Sequence, residues 1–331
     1  MALLRKINAK AKTEINTGFG INASDYGGRF VNKNGNPNIE KRGVQFFEKI
    51  SWFHSMLELP RWKFFALIFA FYVIVNFLFA LIYYFMGVEH LTGMNTNSEL
   101  DKFGEAFFFS AQTFTTVGYG RISPSGFGTS AVAAIEALIG LLSFALATGL
   151  LYGRFSKPTA HIRFSENAVI GPYKDISGFM LRIAPFKNIT LTDAEAKLTL
   201  GMVLEENGVK KNKFFPLDLE LSTVNSLTLS WTIVHPITEE SPLYGFTEAD
   251  FNSIQGEFIV YIKAFDDKFS TTVVARSSYI FKEIVVGAKF IPMYHQNEQG
   301  NKTILDLEKL NSFVPASLNS QLIAIDKVVN S

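Results

Sequence analysis

The chain has 331 residues, a hydrophobic fraction of 48%, and 31 Lys and Arg residues against 30 Asp and Glu residues. A net charge of +1 gives no general electrostatic reason to bind nucleic acid, and the absence of cysteine excludes disulfides and thiolate metal sites. The length favours two domains, and apolar residues are concentrated between Phe64 and Gly153.

The N-terminal region divides into a polar segment and a helical one. Residues 1–43 are rich in Asn, Gly and Lys and predict a flexible tail, with a short strand near Arg29–Val31 and no cleavable secretory signal. From 44 to 59, apolar residues recur at helical spacing: Phe46, Phe47, Ile50, Phe53, Met56 and Leu57. This spacing predicts an amphipathic helix that lies in a lipid interface or, alternatively, packs on a soluble core.

Two long apolar runs follow, and both are predicted to cross a membrane. Pro60 ends the amphipathic helix, and an interfacial collar comes next: Arg61, Trp62 and Lys63. A first span is predicted at about 61–87 and a second at about 126–154. Asn76 is the strongly polar side chain of the first span and is expected to face another helix.

Between the spans, residues 102–114 predict an apolar helix too short to cross a bilayer, joined directly to the sequence Thr-Thr-Val-Gly-Tyr-Gly at 115–120. Non-helical backbone at membrane depth is allowed only where protein shields it or where it lines water. Successive carbonyls of a glycine loop, contributed by four subunits, can replace the water shell of K⁺. The predicted ion-binding residues are Thr116, Val117, Gly118, Tyr119 and Gly120.

Glu136 is the one acid within the second span. An ionisable group at membrane depth is costly and usually faces a cavity or a partner. We expect Glu136 either to support the pore or its filter, or to be a buried, hydrogen-bonded structural residue.

Basic residues are more frequent before the first span and after the second than in the segment between them. The positive-inside rule therefore predicts that both termini lie in the cytoplasm and that the protein is a multi-pass protein of the cell membrane.

After Pro158 the pattern changes to short alternating segments separated by turn signals. These segments are His161–Ser165, Gly178–Ile183, Glu195–Leu204, Leu217–Leu221, Ser226–Val234, Glu257–Ala264 and Thr271–Tyr279. Many short strands at such spacing predict an all-β sandwich or barrel over 159–331.

Four separated stretches resemble the inward-rectifier potassium channels, most closely their prokaryotic branch. They are Gly149–Pro158, Ile162–Ile170, His235–Gly245 and Ala275–Tyr279, and they occur in the family's order. The resemblance implies a homotetramer in which an immunoglobulin-like cytoplasmic sandwich extends the ion path. It also implies that residues 44–59 form the family's slide helix.

The resemblance further implies where ion flow is controlled. Tyr152 matches the position at which the family closes its inner helix bundle, and Phe144 lies above it on the same span; alternatively, Tyr152 is an interfacial tyrosine. A cytoplasmic constriction is expected around four residues of one loop: Asp266, Asp267, Ser270 and Thr271. Narrow aromatic or apolar collars can stop ions by dewetting.

The sequence departs from the family at three places. Phe144 occupies the cavity position that is acidic in strongly rectifying members, so the resemblance does not imply steep block by polyamines or magnesium unless Glu136 or Asp266 partly substitutes for that acid. The residues expected to support the filter from behind are Thr115, Gln112, Arg121 and Glu136. Gln112 replaces the family's glutamate. Arg121 keeps the family's basic residue and is expected to pair with an acid such as Glu105 or Glu136, or to face water. After the second span, eukaryotic members of the family bind phosphoinositides with a dense Lys/Arg cluster; here Arg154 and Lys157 match, but Thr159, Ala160 and His161 follow. The candidates for binding anionic lipid headgroups are Arg61, Lys63, Arg154 and Lys157.

These features predict passive, selective K⁺ conduction, with membrane lipids as partners, K⁺ at the filter as the bound metal ion and no cofactor. The alternative is a membrane-anchored β domain that binds or senses a partner. An enzyme has little support, because the histidines are scattered without metal-ligand spacing or a nucleophile–base motif. His161, near the predicted gate, is a candidate pH sensor, and His161→Ala is expected to shift any pH dependence of opening.

Overall fold

The computed structural model describes residues 11, 13, 29–43, 51–95, 98–206 and 209–319. The chain divides into two compact units. Arg42–Lys157 is here called the helical unit, and the β unit combines Pro158–Ser331 with the residues that precede Arg42.

The described part of the helical unit contains α1 (Trp52–Glu58), α2 (Arg61–Met86), α3 (Glu99–Phe114) and α4 (Phe127–Phe155). A 3-10 turn at Val88–His90 leads into β1 (Leu91–Thr92), which pairs with β2 (Ser123–Pro124) in antiparallel fashion. With 26 and 29 residues, α2 and α4 are long and apolar enough to cross a membrane, whereas α3 has 16 residues.

Helix boundaries differ from the predicted ones by a few residues. The predicted amphipathic helix at 44–59 is described from residue 51 onward, and residues 44–50 lie outside the described residues. The predicted short helix at 102–114 begins earlier, because Glu99 and Asp101 occupy its first turn, where acidic side chains interact favourably with the helix dipole.

Each long helix buries one narrow stripe of residues spaced by three or four positions. In α2 the stripe is Asn76, Ala80 and Tyr83; in α3 it is Ala106, Phe109, Ser110 and Phe114; in α4 it is Thr129, Ala133, Glu136 and Gly140. The stripes meet, and the Tyr83 and Phe109 rings contact edge to face with centroids 5.0 Å apart. Most other apolar side chains of α2 and α4 are exposed in the single chain.

The β unit contains two five-stranded sheets. One sheet comprises β6 (Leu191–Glu206), β7 (Val209–Leu217), β8 (Thr223–Ser226), β10 (Gly256–Asp266) and β11 (Thr271–Ile280). Its strand order is β11-β10-β6-β7, and β8 also pairs with β6. The other sheet comprises β3 (Ile162–Phe164), β4 (Ala168–Tyr173), β5 (Ile176–Pro185), β9 (Trp231–Pro236) and β12 (Ile284–Val286). Its strand order is β12-β4-β5-β3, and β9 also pairs with β5.

Alternating side chains of the two sheets form one shared core. Phe179 of β5 and Phe258 of β10 stack with ring centroids 4.0 Å apart, and the neighbouring alternate residues of β5, β6 and β10 are fully buried in the same cluster. This arrangement is a sandwich, so the predicted all-β architecture is confirmed.

Further elements follow or interrupt the sandwich. They are α5 (Glu248–Ser253), β13 (Ala288–Phe290), β14 (Tyr294–Gln296), β15 (Thr303–Leu305), β16 (Phe313–Pro315) and two 3-10 turns at Phe281–Glu283 and Leu307–Asn311. β13 pairs with β16, and β14 pairs with β15. Ala288 and Phe290 cover the outer face of β4 and β5 by packing on Val169 and Met180.

Two predictions made for the ends of strands and for the N-terminus are wrong. Leu217–Leu221 is not a strand, because Leu217 ends β7, whose lysine-rich sequence alternates poorly and is held by pairing with β6. The predicted flexible tail includes Arg29–Asn38, which is instead hydrogen-bonded within the β unit; near the short strand predicted at Arg29–Val31 it forms an isolated bridge between Val31 and Pro37.

Candidate functional site

The glycine loop after α3 has an alternating backbone. Thr116, Gly118 and Gly120 have positive φ values of 56°, 53° and 83°. This region is readily accessible only to glycine, so the two glycines are required by the backbone, while Thr116 adopts it as a non-glycine residue.

Three successive N–H groups of this loop point toward α3. The N–H groups of Val117 and Gly118 donate to the Gln112 carbonyl at 2.9 and 3.2 Å, and the N–H of Tyr119 donates to the Gln112 Oε1 at 3.2 Å. In a trans peptide the carbonyl points opposite to the N–H. The carbonyls of the three preceding residues, Thr116, Val117 and Gly118, therefore point away from α3 and toward the exposed side of the loop.

The other predicted support residues make separate contacts. The Thr115 hydroxyl donates back to the Ala111 carbonyl at 2.8 Å, which extends the end of α3. The guanidinium of Arg121 pairs with the Glu105 carboxylate at 2.9 Å, so among the partners considered from sequence it takes Glu105 and not Glu136.

Glu136 lies in a fully buried polar cluster that joins α2, α3 and α4. The Tyr83 hydroxyl contacts the Glu136 Oε2 at 2.6 Å, and the Ser110 Oγ hydrogen-bonds to the Glu136 Oε1. The Ser110 Oγ also lies 3.0 Å from the Asn76 Oδ1, and the Asn76 Nδ2 donates to the Tyr72 carbonyl at 2.7 Å. We call these four buried residues, Asn76, Tyr83, Ser110 and Glu136, the interhelical polar cluster.

One turn after Glu136, α4 approaches the end of α3 closely. A Cβ atom at Gly140 would lie 1.9 Å from the Phe114 carbonyl oxygen, so only glycine permits this approach. Ser110 and Phe114 on α3 thus face Glu136 and Gly140 on α4 at the same four-residue spacing.

The two predicted gate residues lie on the exposed side of α4. The side chains of Phe144 and Tyr152 are each 74% exposed in the single chain. The Thr148 hydroxyl donates to the Phe144 carbonyl at 2.9 Å and so remains within the helix.

The four predicted lipid-binding residues are not equivalent. The Arg154 guanidinium donates to the Met56 carbonyl at 3.2 Å and to the Leu59 carbonyl, so it caps the C-terminal end of α1. Lys157 lies 3.6 Å from the Glu58 carboxylate in an exposed ion pair. Arg61 and Lys63 are exposed at the start of α2.

The predicted constriction residues lie at the β10–β11 hairpin. Asp266 is 1% exposed, and its Oδ1 accepts the N–H groups of Lys268 and Phe269 at 2.9 and 3.3 Å. Asp266 therefore stabilises the turn, and its carboxylate is buried in the single chain. Asp267 accepts from the Thr192 hydroxyl at 3.1 Å, Ser270 has a φ of 48° in the turn, and Thr271 pairs with Asp266.

Two histidines of the β unit are partly or fully buried. His161 lies 3.5 Å from the Lys187 Nζ, and partial burial, followed by the Lys187 charge, lowers the pKa of His161. His235 is hydrogen-bonded through Nδ1 to the Asp218 carbonyl at 2.6 Å and through Nε2 to the Ser241 hydroxyl at 2.8 Å. Burial lowers the pKa of His235 as well.

Sequence reasoning missed Ser110, Tyr83 and Gly140 as parts of the site. Two of them carried a signal, because Tyr83 lies two helical turns after Asn76 and Gly140 lies one turn after Glu136, on the same helical face. Ser110 carried no such signal on its own helix. Among the described residues, no group of three or more His, Asp and Glu side chains forms a metal site.

In comparisons with known proteins, both units match models of protein families. A family model described as the inward rectifier potassium channel C-terminal domain matches residues 162–326, and an ion channel model matches residues 71–157. The chain is 33% identical over 288 residues to the inward rectifier potassium channel Kirbac3.1 of Paramagnetospirillum magnetotacticum, covering 86% of this chain and 95% of the relative.

More distant relatives come from animals. The inward rectifier potassium channel irk-1 of Caenorhabditis elegans is 24% identical over 312 residues, covering 87% of this chain and 57% of the relative. The ATP-sensitive inward rectifier potassium channel 12 of Gallus gallus is 24% identical over 300 residues, covering 83% of this chain and 69% of the relative. The resemblance read from the sequence motifs is thereby confirmed.

Proposed function

The chain belongs to the inward-rectifier potassium channel family, and from this premise we propose that it conducts K⁺ passively and selectively through a membrane pore. The family's proteins are tetrameric ion channels and not enzymes. The observation that carries the proposal is the direction of the loop carbonyls. Three consecutive N–H groups are taken up by Gln112, which leaves the carbonyls of Thr116, Val117 and Gly118 free for an ion.

A single chain supplies one quarter of the oxygens that a dehydrated K⁺ needs. Four loops around a common axis would give successive rings of carbonyl oxygens, with the Thr116 hydroxyl below them and the Tyr119 and Gly120 carbonyls above. The exposure of Val117 (53%) and Tyr119 (82%) in the single chain supports neighbouring copies around this loop.

The gate is proposed at the inner end of α4. Tyr152 and Phe144 present bulky, largely exposed side chains that four symmetry-related copies of α4 would bring together. An aromatic collar of this kind can exclude water and stop ions. For the cytoplasmic constriction, the β10–β11 turn remains the candidate, with Asp267, Ser270 and the half-exposed Phe269 as its accessible residues.

The membrane orientation and the lipid contacts follow from the basic residues. Both termini are proposed to be cytoplasmic, because Arg61 and Lys63 lie in the first turn of α2 and Lys157 follows α4. For anionic headgroups, Arg61 and Lys63 are the favoured ligands. Arg154 already donates to two carbonyls of α1, so it is proposed to hold that helix and to contact lipid only secondarily.

The proposal is tested by K⁺-driven uptake into liposomes that contain the purified full chain. We expect uptake that prefers K⁺ over Na⁺, is blocked by Ba²⁺ and is lost in Gly118→Ala, because alanine disfavours the positive φ that this position requires. Gly104→Ala is the matched control, since a Cβ there has open space around it.

If the wild-type protein shows no K⁺ uptake, Tyr152→Ala in the same assay distinguishes a closed pore from the absence of a pore. Uptake that appears in Tyr152→Ala would identify a pore that was held shut at the gate. Silence in both proteins, across anionic and neutral lipids, would favour the alternative of a membrane-anchored β domain that binds or senses a partner.

A further inference from the structure

We propose that Glu136 is protonated in the folded channel and acts as a neutral hydrogen-bond donor that positions the pore helix α3 between α2 and α4. This inference deepens the proposed function, because it rests on α3 carrying the filter. It assigns Glu136 a positioning role through Ser110 and not a direct contact with the ion.

The first step is a count of protons in the interhelical polar cluster. Ser110 and Tyr83 each have a single hydroxyl proton. They face three acceptors: the two carboxylate oxygens of Glu136 and the Asn76 Oδ1. With an ionised Glu136, two protons would serve three contacts, and one close contact would join two lone pairs.

A proton on the Glu136 Oε1 provides the third proton, so that each of the three contacts has one. Glu136 then donates to the Ser110 Oγ, Ser110 donates to the Asn76 Oδ1 at 3.0 Å, and Tyr83 donates to the Glu136 Oε2 at 2.6 Å. Every contact has one donor and one acceptor. The chain of hydrogen bonds then runs in one direction from α4 through α3 to α2.

Turning the Asn76 amide does not provide the missing proton. The Asn76 Nδ2 donates to the Tyr72 carbonyl at 2.7 Å, and a turned amide would place its oxygen against that carbonyl oxygen. The orientation of Asn76 is therefore fixed by its own helix.

Among the residues that the structure describes, no charged side chain forms an ion pair with Glu136. Tyr83 and Ser110 contact it, and Tyr83 belongs to the apolar cluster that contains Ala80, Ala106 and Ala133. Arg121, the described cation nearest in sequence to the filter, is paired with Glu105. A fully buried, unpaired carboxylate is strongly disfavoured relative to its neutral form.

The consequence for the filter follows from the position of Gln112. Ser110 and Phe114 bracket Gln112 on α3, and both are held by α4, through Glu136 and through the close approach of Gly140. Gln112 in turn accepts three filter N–H groups. A shift of α3 would therefore move three peptide groups of the filter together.

The protonation state is tested by infrared spectroscopy of the reconstituted wild type and Glu136→Gln at neutral pH. We expect the wild type to show the carbonyl-stretching band of a protonated carboxylic acid, shifted in D₂O and absent from Glu136→Gln. A difference spectrum that shows only the loss of carboxylate bands would overturn the proposal. This readout does not depend on ion flux, so it stays decisive even if the proposed conduction fails.

The positioning role is tested by uptake in the same liposomes. Glu136→Leu and Ser110→Ala are expected to lower the K⁺:Na⁺ uptake ratio by about tenfold, because each leaves buried partners without hydrogen bonds. Glu136→Gln should restore the ratio to within about twofold, since its amide can donate to Ser110 and accept from Tyr83. Tetramer recovery on gel filtration checks folding in each variant. A Glu136→Leu channel as selective as Glu136→Gln would overturn the positioning role.

Discussion

At the scale of single residues, Gln112 carries an unusual share of the filter's hydrogen bonds. Its carbonyl is shared by the N–H groups of Val117 and Gly118, and its side-chain oxygen accepts the N–H of Tyr119. The first two contacts depend only on backbone, so the side chain contributes the third. The sequence placed Gln112 behind the filter by resemblance, but the donors it binds are visible only in the folded loop.

Replacing Gln112 with leucine removes the acceptor for the Tyr119 N–H while keeping the backbone contacts. We expect the K⁺:Na⁺ uptake ratio to fall by about threefold to tenfold, since one net hydrogen bond contributes roughly 1 kcal/mol. Gln112→Glu keeps an acceptor oxygen and is the matched control, with a smaller loss. Equal selectivity of the leucine variant and the wild type would contradict this role.

His235 links stability to pH. An unfolded histidine titrates near its ordinary pKa of 6.5, whereas burial lowers the pKa of His235 in the folded protein. The unfolded chain therefore binds more protons once the pH falls below about 6.5, and the free energy of unfolding decreases there by up to about 1.4 kcal/mol per pH unit. Above that pH His235 is neutral in both the folded and the unfolded state, so it adds no pH dependence to the free energy of unfolding.

This dependence is measured as the thermal unfolding midpoint of the full chain between about pH 7 and pH 5, the range in which histidine titrates. His235→Gln cannot titrate and is expected to flatten the slope, whereas the exposed His295→Gln should leave it unchanged. A slope in His235→Gln as steep as in the wild type would rule out His235 as its source.

At the scale of elements, the contact between α3 and α4 depends on Gly140. An added Cβ would lie 1.9 Å from the Phe114 carbonyl oxygen, so Gly140→Ala must push the helices apart. We expect it to reduce K⁺ uptake and to destabilise the protein by about 1–3 kcal/mol, the usual cost of overpacking.

Gly149→Ala on the same helix is the control for Gly140→Ala. Among the described residues, no atom lies within 4 Å of a Cβ built at Gly149, so alanine there gains helix propensity of about 1 kcal/mol without a clash. Thermal unfolding midpoints that move in opposite directions support the close approach, and equal shifts would count against it.

The junction between α1 and α4 depends on Arg154. Its guanidinium donates to the Met56 and Leu59 carbonyls, which have no further turn of α1 to bind. We expect Arg154→Ala to speed amide exchange over Trp52–Leu59 by at least about tenfold, because two hydrogen bonds to a charged group are lost.

Lys157→Ala is the control for Arg154→Ala, since the Lys157–Glu58 pair is exposed and such pairs contribute about 0–1 kcal/mol. Its exchange rates should change by less than about threefold. Equal exchange in the two variants would mean that Arg154 does not hold α1.

At the scale of the whole molecule, the segment Arg29–Asn38 belongs to the β unit although more than a hundred residues separate it from its partners in sequence. Glu257, fully buried, accepts the N–H groups of Phe30 and Val31 at 2.5 and 3.0 Å. Arg29 pairs with Glu283, and the Lys33 Nζ lies 3.9 Å from the centre of the Tyr279 ring. The N-terminal segment is thus held by both backbone and charge.

Glu257→Ala is expected to release this segment. Limited trypsin digestion should cut between Arg29 and Lys41 at least about tenfold faster than in the wild type, because two hydrogen bonds to a charged acceptor are lost. Ser277→Ala removes one hydrogen bond to the Lys33 carbonyl and should have a smaller effect. Cleavage at the wild-type rate in Glu257→Ala would show that other contacts hold the segment.

The sequence alone determined the two spans, the short helix, the glycine loop and the all-β character of the region after Pro158. Each of these depends on composition and periodicity within one stretch of chain, and the four separated motifs were enough to identify the family. The tertiary structure decided which partners the charged and polar residues take. Arg121 binds Glu105, Glu136 joins Ser110 and Tyr83, Arg154 caps α1, and Asp266 closes a turn. Such pairings depend on which residues from distant parts of the chain come within about 3 Å of each other, the range of a hydrogen bond, and no local pattern encodes that distance.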